Sequence, residues 1–481
     1  MCIRDSSKMG RNKKLIKNTG FVFIGNMGAK LMSFFMLPLY THWLSPVDYG
    51  TTDIINTYAM LLLNVIACDI SDAIFIFPVG AEEKKIKHYF STGFFFQIMC
   101  SIIVAIVFLG LSHIKSNNSF FTHIWFIYGI LISNLFQKYV QDFCRGINKM
   151  SVFSFTGIIN SLTIALFSIL LIPQMEVQGY VFAIIIANII TGLFTFFYSH
   201  SYQYLSLKAF NISALREMLH FSIPLMPTAI MWWLISGLNR PLLEEYCSLF
   251  AVGLLAVALK LPSLINLIFG FFQQAWTITV IEEYKKKDFF LYYNKMYRII
   301  LTVQVACCIF IILFSRSFIH LMTTEEYYQA WKYIPLLAIG VIFSNISAFT
   351  GTIFSAAHKT SYTFYSVITG GVVSIICNFL FIPNFGLWGA CLSIILAHLA
   401  SCLSRIYFSS KFVKFTNSWI TFWQFVLLLL CYLFSLFNSL WGMIIGYTIS
   451  ILLYFCLNIG VFKDIYQPLA NRLKKTHNKL N

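Results

Sequence analysis

Apolar stretches of about 20 residues, the length that crosses the hydrocarbon core of a bilayer, recur from one end of this chain to the other. Composition agrees: of 481 residues, 58% are hydrophobic and only 11% charged, which is not a soluble composition. No polar block is long enough to build a second domain. One all-α integral membrane domain is therefore expected.

Reading apolar runs between polar breaks gives about 14 transmembrane helices, at 18–43, 49–77, 89–112, 121–144, 151–173, 179–200, 219–240, 248–275, 297–320, 331–356, 362–383, 388–410, 419–437 and 440–462. The second and eighth runs are long enough to be tilted or broken.

The loops test that count independently. With the N-terminus inside, alternate loops collect Lys13, Lys14 and Lys17, then Lys84, Lys85 and Lys87, then Arg145 and Lys149, then Lys208 and Arg216. The series continues with Lys285 to Arg298, Lys359, Arg405 with Lys411 and Lys414, and the tail from Lys463 to Lys479. The other side holds little beyond Lys115, Arg316 and Lys332. Such a positive-inside asymmetry would be scrambled by one missed span. It predicts an even count with both termini cytoplasmic. The net charge of +16 is accounted for in the same way, so no nucleic-acid partner is expected.

Twelve cysteines are scattered without a CxxC pair, and no His cluster stands at metal spacing, so neither metal nor cofactor is expected. The apolar run after Lys17 is too long for a signal peptide and should remain as the first span. The opening Met1 to Lys8 is unlike the rest of the chain, and Met9 begins a more natural basic leader. The first eight residues are read as an extension from a misassigned start, which N-terminal sequencing beginning at Met1 would refute.

An internal repeat appears when the chain is shifted by 210 residues: Lys149-Met150-Ser151 falls on Lys359-Thr360-Ser361, Ile172-Pro173 on Ile382-Pro383, and Gly179 on Gly389. An even number of spans separates the copies, so they share one orientation, as in a parallel repeat about an axis along the membrane normal. The expected organisation is a basic cytoplasmic leader at 1–17, an N-lobe of six helices at 18–210, a C-lobe of six at 211–415, two C-terminal helices at 416–462 and a basic cytoplasmic tail at 463–481.

An ionisable residue at the bilayer centre costs about 2.5 to 3.5 kcal/mol, so each one is a site hypothesis. Lys30, among small residues in the first span, reads either as a cavity-lining cation or as a snorkelling or ion-paired side chain. Arg240 ends the seventh span and Lys260 lies inside the eighth; together a planar fork and a point charge suit a diphosphate. Against that reading stand an interfacial anchor for Arg240 and pairing of either with Glu244 or Glu245. Asp69 and Asp72, three apart, would share a helical face and either bind a coupling H+ or Na+ or pair with a base from another helix. Lys138, Asp142 and Arg145, spaced four and three apart, read as an intrahelical ion ladder at the end of the fourth span.

The cationic candidates favour an anionic passenger. No GxxxxGK[ST] loop binds ATP, and neither a GxSxG elbow nor a large outside loop houses an enzyme site. A transporter driven by an ion gradient, the membrane potential or consumption of its product is expected.

Particular segments sharpen this. Leu37-Pro38-Leu39-Tyr40 running into Ser45-Pro46-Val47-Asp48-Tyr49-Gly50, then Phe221-Ser222-Ile223-Pro224-Leu225-Met226-Pro227, Asn239-Arg240, Val252-Gly253-Leu254-Leu255-Ala256 and Gln274-Ala275-Trp276, and finally Ile382-Pro383-Asn384-Phe385-Gly386 follow one another in order. The chain resembles the polysaccharide transporter branch of the multidrug/oligosaccharidyl-lipid/polysaccharide exporters, the O-antigen flippase type. That resemblance implies a fourteen-helix, two-lobed flippase moving an undecaprenyl-diphosphate-linked oligosaccharide from the inner to the outer leaflet for surface polysaccharide or lipopolysaccharide synthesis. Membrane lipid and other polysaccharide-assembly proteins are its implied partners. It also implies a basic cavity residue at Arg240. Where relatives carry an Arg after Phe75, this chain has Ile76, a departure that makes Lys30 the candidate to serve in its place. The alternatives are a small-molecule or lipid-II exporter of the same superfamily and an integral-membrane glycan polymerase or acyltransferase. Four histidines scattered at span ends, His42, His200, His320 and His398, speak against an enzyme.

Overall fold

The computed structural model describes residues 28, 31–116, 118–416, 418–437, 441–442 and 444–461, and among them there are helices and turns but no strand. The basic leader, Lys30 and the tail lie outside the described residues. The described chain divides after Ala256 into two compact units.

The first unit holds α1 (Leu37–Trp43), α2 (Pro46–Ile66), α3 (Ile70–Ile76), α4 (Glu83–Leu111), α5 (Ser119–Thr122), α6 (Ile124–Gly146), α7 (Met150–Tyr198), α8 (Ile212–Ser222), α9 (Met226–Ser236) and α10 (Asn239–Tyr246). Next comes α11 (Leu249–Ala258), which carries the boundary between the units. The second unit continues with α12 (Lys260–Glu283), α13 (Phe289–Met322), α14 (Ile334–Ala356), α15 (Ser361–Ser409), α16 (Ser418–Ser435) and α17 (Ile444–Val461).

Among the described residues, eight helical stretches are long and apolar enough to cross a membrane, or nine when the bent pair α2 and α3 counts as one span. The 49-residue helices α7 and α15 each contain a residue with non-helical dihedrals, so each is two spans joined at a kink. Counting each kinked helix as two brings the described residues to ten such stretches, or eleven with the bent pair; most of the first expected span lies outside the described residues.

Local chemistry sets where these helices begin and break. Ser45 and Asp48 form a capping box: the Ser45 hydroxyl accepts from the Asp48 amide at 3.2 Å, and the Asp48 carboxylate accepts from the Ser45 amide at 3.3 Å. Pro46 follows at the first helical position, where its missing N–H is not needed. Twenty residues on, the second span does break. Cys68 and Asp69 take left-handed dihedrals (φ 47° and 50°), and α2 and α3 meet at a 60° bend. Phe90, Tyr139 and Phe143 fill the core beside this bend, with the Phe90 and Phe143 rings 4.3 Å apart. The Tyr139 hydroxyl donates to the Phe90 carbonyl at 2.7 Å.

The 210-residue repeat is written into backbone geometry. Asn148 (φ 63°) ends α6 and His358 (φ 54°) ends α14 in the same way. In each case the following lysine amide, Lys149 or Lys359, donates 2.8 Å back to the carbonyl of Cys144 or Phe354. That is a Schellman closure with Asn or His in the left-handed position that glycine usually takes. Pro173 and Pro383 then each precede a kink three residues later. Beyond the kinks, a β-carbon on Gly179 would lie 2.4 Å from the Leu171 carbonyl oxygen, and one on Gly389 would lie 2.2 Å from that of Phe381.

In the second unit Trp276 lies against Phe349, rings 4.9 Å apart and within 9° of parallel. A buried polar knot ties α13, α16 and α17: Asn458 Oδ1 accepts from Thr302 at 2.7 Å and from Gln424 at 2.8 Å. In a lipid environment such interhelical bonds are worth about 0.6 kcal/mol each. Arg405, expected in a cytoplasmic loop, is instead 5% exposed inside α15, donating to Ser366 Oγ at 2.9 Å and to the Ser347 carbonyl at 2.8 Å.

Candidate functional site

In the first unit α2 and the end of the seventh span enclose a cavity of about 590 Å³, within the range of small-molecule sites. Asp53, Asn56, Thr57, Met60, Leu63 and Asn64 form one wall, and Ala229, Trp232, Trp233, Ser236, Gly237 and Arg240 form the other. Each set is spaced by threes and fours: the first lies on one face of α2, and the second runs along α9 and across the turn at Gly237 to Arg240 in α10. The Trp233 indole donates to the Thr57 carbonyl at 3.0 Å and so ties the walls together.

Arg240 closes one end. Its Nε donates to Asp53 Oδ2 at 2.9 Å and its Nη1 to Asn239 Oδ1 at 2.9 Å and to the Ser236 carbonyl. The Arg240 side chain is 13% exposed and that of Asp53 29%. A guanidinium at a cavity wall binds phosphate oxygens in pairs. The indole faces and the Asn56 and Asn64 amides offer the apolar faces and hydrogen bonds that a sugar needs.

This wall stands on a tight contact. A β-carbon on Gly50 would sit 2.1 Å from the Leu249 carbonyl oxygen, and one on Gly253 would sit 2.0 Å from that of Pro46. The two backbones touch reciprocally, which only glycine at both positions permits. The Ser45 cap fixes the start of α2, Gly50 follows one turn later, and Asp53 follows on the next.

The other sequence candidates fall elsewhere. Lys260 opens α12 in the second unit and is not among the residues that line this cavity. Asp69 and Asp72 do not sit on one helix, because Asp69 occupies the left-handed position before α3. Both nevertheless reach Lys138 of α6, at 3.6 and 3.8 Å. Lys138 thus faces another helix, and within α6 the ladder is carried by Arg145 and Asp142, 3.1 Å apart. Arg145 also lies over the Phe75 ring at 4.2 Å.

Asp53 escapes a search for isolated intramembrane charge because it lies near the start of its span. The polar stripe Asp53, Asn56, Thr57 and Asn64 at helical spacing was the available signal.

Residues 15–277 match the model of the polysaccharide biosynthesis protein family. Among curated relatives, the capsular polysaccharide biosynthesis protein CapF of Staphylococcus aureus is 22% identical over 409 residues, 82% of this chain and 100% of CapF. The Lsg locus putative protein 1 of Haemophilus influenzae is 24% identical over 53% of this chain and 63% of its own length. Among solved structures, the lipid II flippase MurJ in an inward closed conformation has a TM-score of 0.73 at 15% identity, covering 94% of this chain and 100% of MurJ. An inward-facing multidrug resistance MATE transporter has a TM-score of 0.63 at 12% identity, covering 81% of this chain and 97% of its own. At those identities the TM-scores show a shared fold. The chain belongs to the polysaccharide biosynthesis protein family, with the helices of a multi-pass membrane protein.

Proposed function

We propose that this protein moves a polyprenyl-diphosphate-linked oligosaccharide from the inner to the outer leaflet of the bacterial plasma membrane. The observation that carries the reading is Arg240 at the wall of a cavity lined by two tryptophans and two asparagines. The guanidinium suits the diphosphate, and the indoles and amides suit the first sugars. Capsular polysaccharide is the product in the name of one relative, and lipid II is the cargo in the name of one structural neighbour.

On this reading an N-lobe at 18–210 and a C-lobe at 211–415 rock against each other in alternating access, with two further helices at 416–462. Lys30, Arg240 and Lys260 contribute positive charge along the path, and both termini face the cytoplasm, as the loop charges favour. A coupling H+ or Na+, the membrane potential or consumption of the product drives the cycle. Membrane lipid and other polysaccharide-assembly proteins are its neighbours in the pathway.

The test is deletion of the gene in its host and assay of the lipid-linked glycan in each leaflet, complemented with wild type, Arg240→Ala and Lys260→Ala. The expected result is inner-leaflet accumulation rescued by wild type and not by the folded, membrane-inserted variants. Unchanged leaflet distribution with normal surface glycan would sink the reading and favour export of a small molecule.

A further inference from the structure

The geometry points to Asp53 as a built-in counter-ion that occupies the place of the substrate's diphosphate on Arg240 and selects for it; this rests on the function proposed above. Asp53 Oδ2 takes the Nε donor of Arg240 at 2.9 Å, and Nη1 is held by the Asn239 side chain and the Ser236 carbonyl. Both partners of the pair line the same cavity. An anion entering the cavity to use the Nε edge of the guanidinium must therefore compete with a carboxylate that is already there.

A neutral ligand cannot displace Asp53. A diphosphate brings more negative charge and more acceptor oxygens than one carboxylate, so it can take the guanidinium in the paired geometry that Arg favours. A monophosphate, with fewer oxygens, competes less well. The carboxylate thus raises the threshold for entry and, by returning to Arg240, speeds departure. A residue with this role lowers affinity while raising turnover, a split that a merely structural contact does not produce.

The test measures binding of farnesyl diphosphate and farnesyl monophosphate to the full-length protein in detergent by calorimetry, alongside leaflet transport in the complemented host. Asp53→Asn, nearly isosteric, is expected to bind farnesyl diphosphate roughly fivefold more tightly, the factor matching a partly exposed ion pair. It is also expected to narrow the preference for diphosphate over monophosphate and to slow transport. Arg240→Ala is expected to abolish the gain, so that the double variant binds like Arg240→Ala alone. As a check on unaltered protein, carbodiimide labelling of Asp53 is expected to rise when farnesyl diphosphate binds, because the carboxylate is released.

If wild-type binding requires Arg240 but Asp53→Asn binds no more tightly and labelling does not rise, the competition is overturned while the transport reading stands. If wild type and Arg240→Ala bind farnesyl diphosphate equally, the diphosphate site itself is lost, and the inference with it.

Discussion

Glu176 and Gly386, 210 residues apart, hold nearly the same non-helical backbone: φ 48° and ψ −118° in one, φ 57° and ψ −129° in the other. Each lies three residues after a proline and reverses the chain between two spans of its own unit. The dihedrals belong to a region open to glycine and strained for a side chain by about 1 to 3 kcal/mol. Glu176→Gly should therefore stabilise the protein by about 1 kcal/mol, and Gly386→Glu should destabilise it by about 1 to 3 kcal/mol. Thermal unfolding in detergent, followed by size exclusion, checks both signs. Equal effects of the two changes would mean that the shared geometry is not what sets them.

Gly50→Val and Gly253→Val should each be destabilising, because the new β-carbon meets a backbone carbonyl oxygen at 2.1 or 2.0 Å. Overpacking of this kind costs about 1 to 3 kcal/mol, and more where backbone must move. Yield of monodisperse protein and its unfolding midpoint are the measurements. A wild-type midpoint in either variant would show that the helices separate here without penalty.

Lys138→Met should weaken the fold by leaving the buried Asp69 carboxylate without its cation. Asp69 is 8% exposed but Lys138 is 35% exposed, so the loss is expected at about 1 to 3 kcal/mol, below that for a fully buried pair. Adding Asp69→Asn should restore most of it, because the uncompensated charge is then gone. A double variant as unstable as Lys138→Met alone would indicate that Asp72 or Asp142 is the partner that matters.

Arg405→Lys should not be conservative. The guanidinium reaches Ser366 Oγ with Nε and the Ser347 carbonyl with Nη1, and an ammonium does not span both from one position. A loss of about 1 to 3 kcal/mol in stability is expected, with Arg405→Met no better. Denaturation midpoints of the two variants decide it.

The spans and the repeat were legible because lipid leaves the chain few options. Length and apolarity mark the helices, and Lys149, Pro173 and Gly179 with their partners 210 residues on are not residues that an apolar background supplies by chance. What misled was local conformation. Asp69 and Asp72 look like one helical face only if the helix is continuous, and two left-handed residues interrupt it. Arg405 reads as a loop cation because it lies close to the end of its run at 410, whereas packing turns its guanidinium inward to Ser366 and Ser347. Asp53 was missed because its meaning depends on Arg240, 187 residues away, and no spacing rule links two helices that distant in the chain.

The reciprocal contact of Gly50 and Gly253 also has a genetic consequence. When two side chains clash, a smaller neighbour can rescue the larger one, so a screen for second-site revertants finds the partner. Here each glycine faces the other helix's main chain at Leu249 or Pro46, and a carbonyl cannot be trimmed by mutation. Revertants of a defective Gly50 or Gly253 allele should therefore be true back-mutations, and a screen of any depth should return no suppressor that acts by shortening the side chain at position 46 or 249.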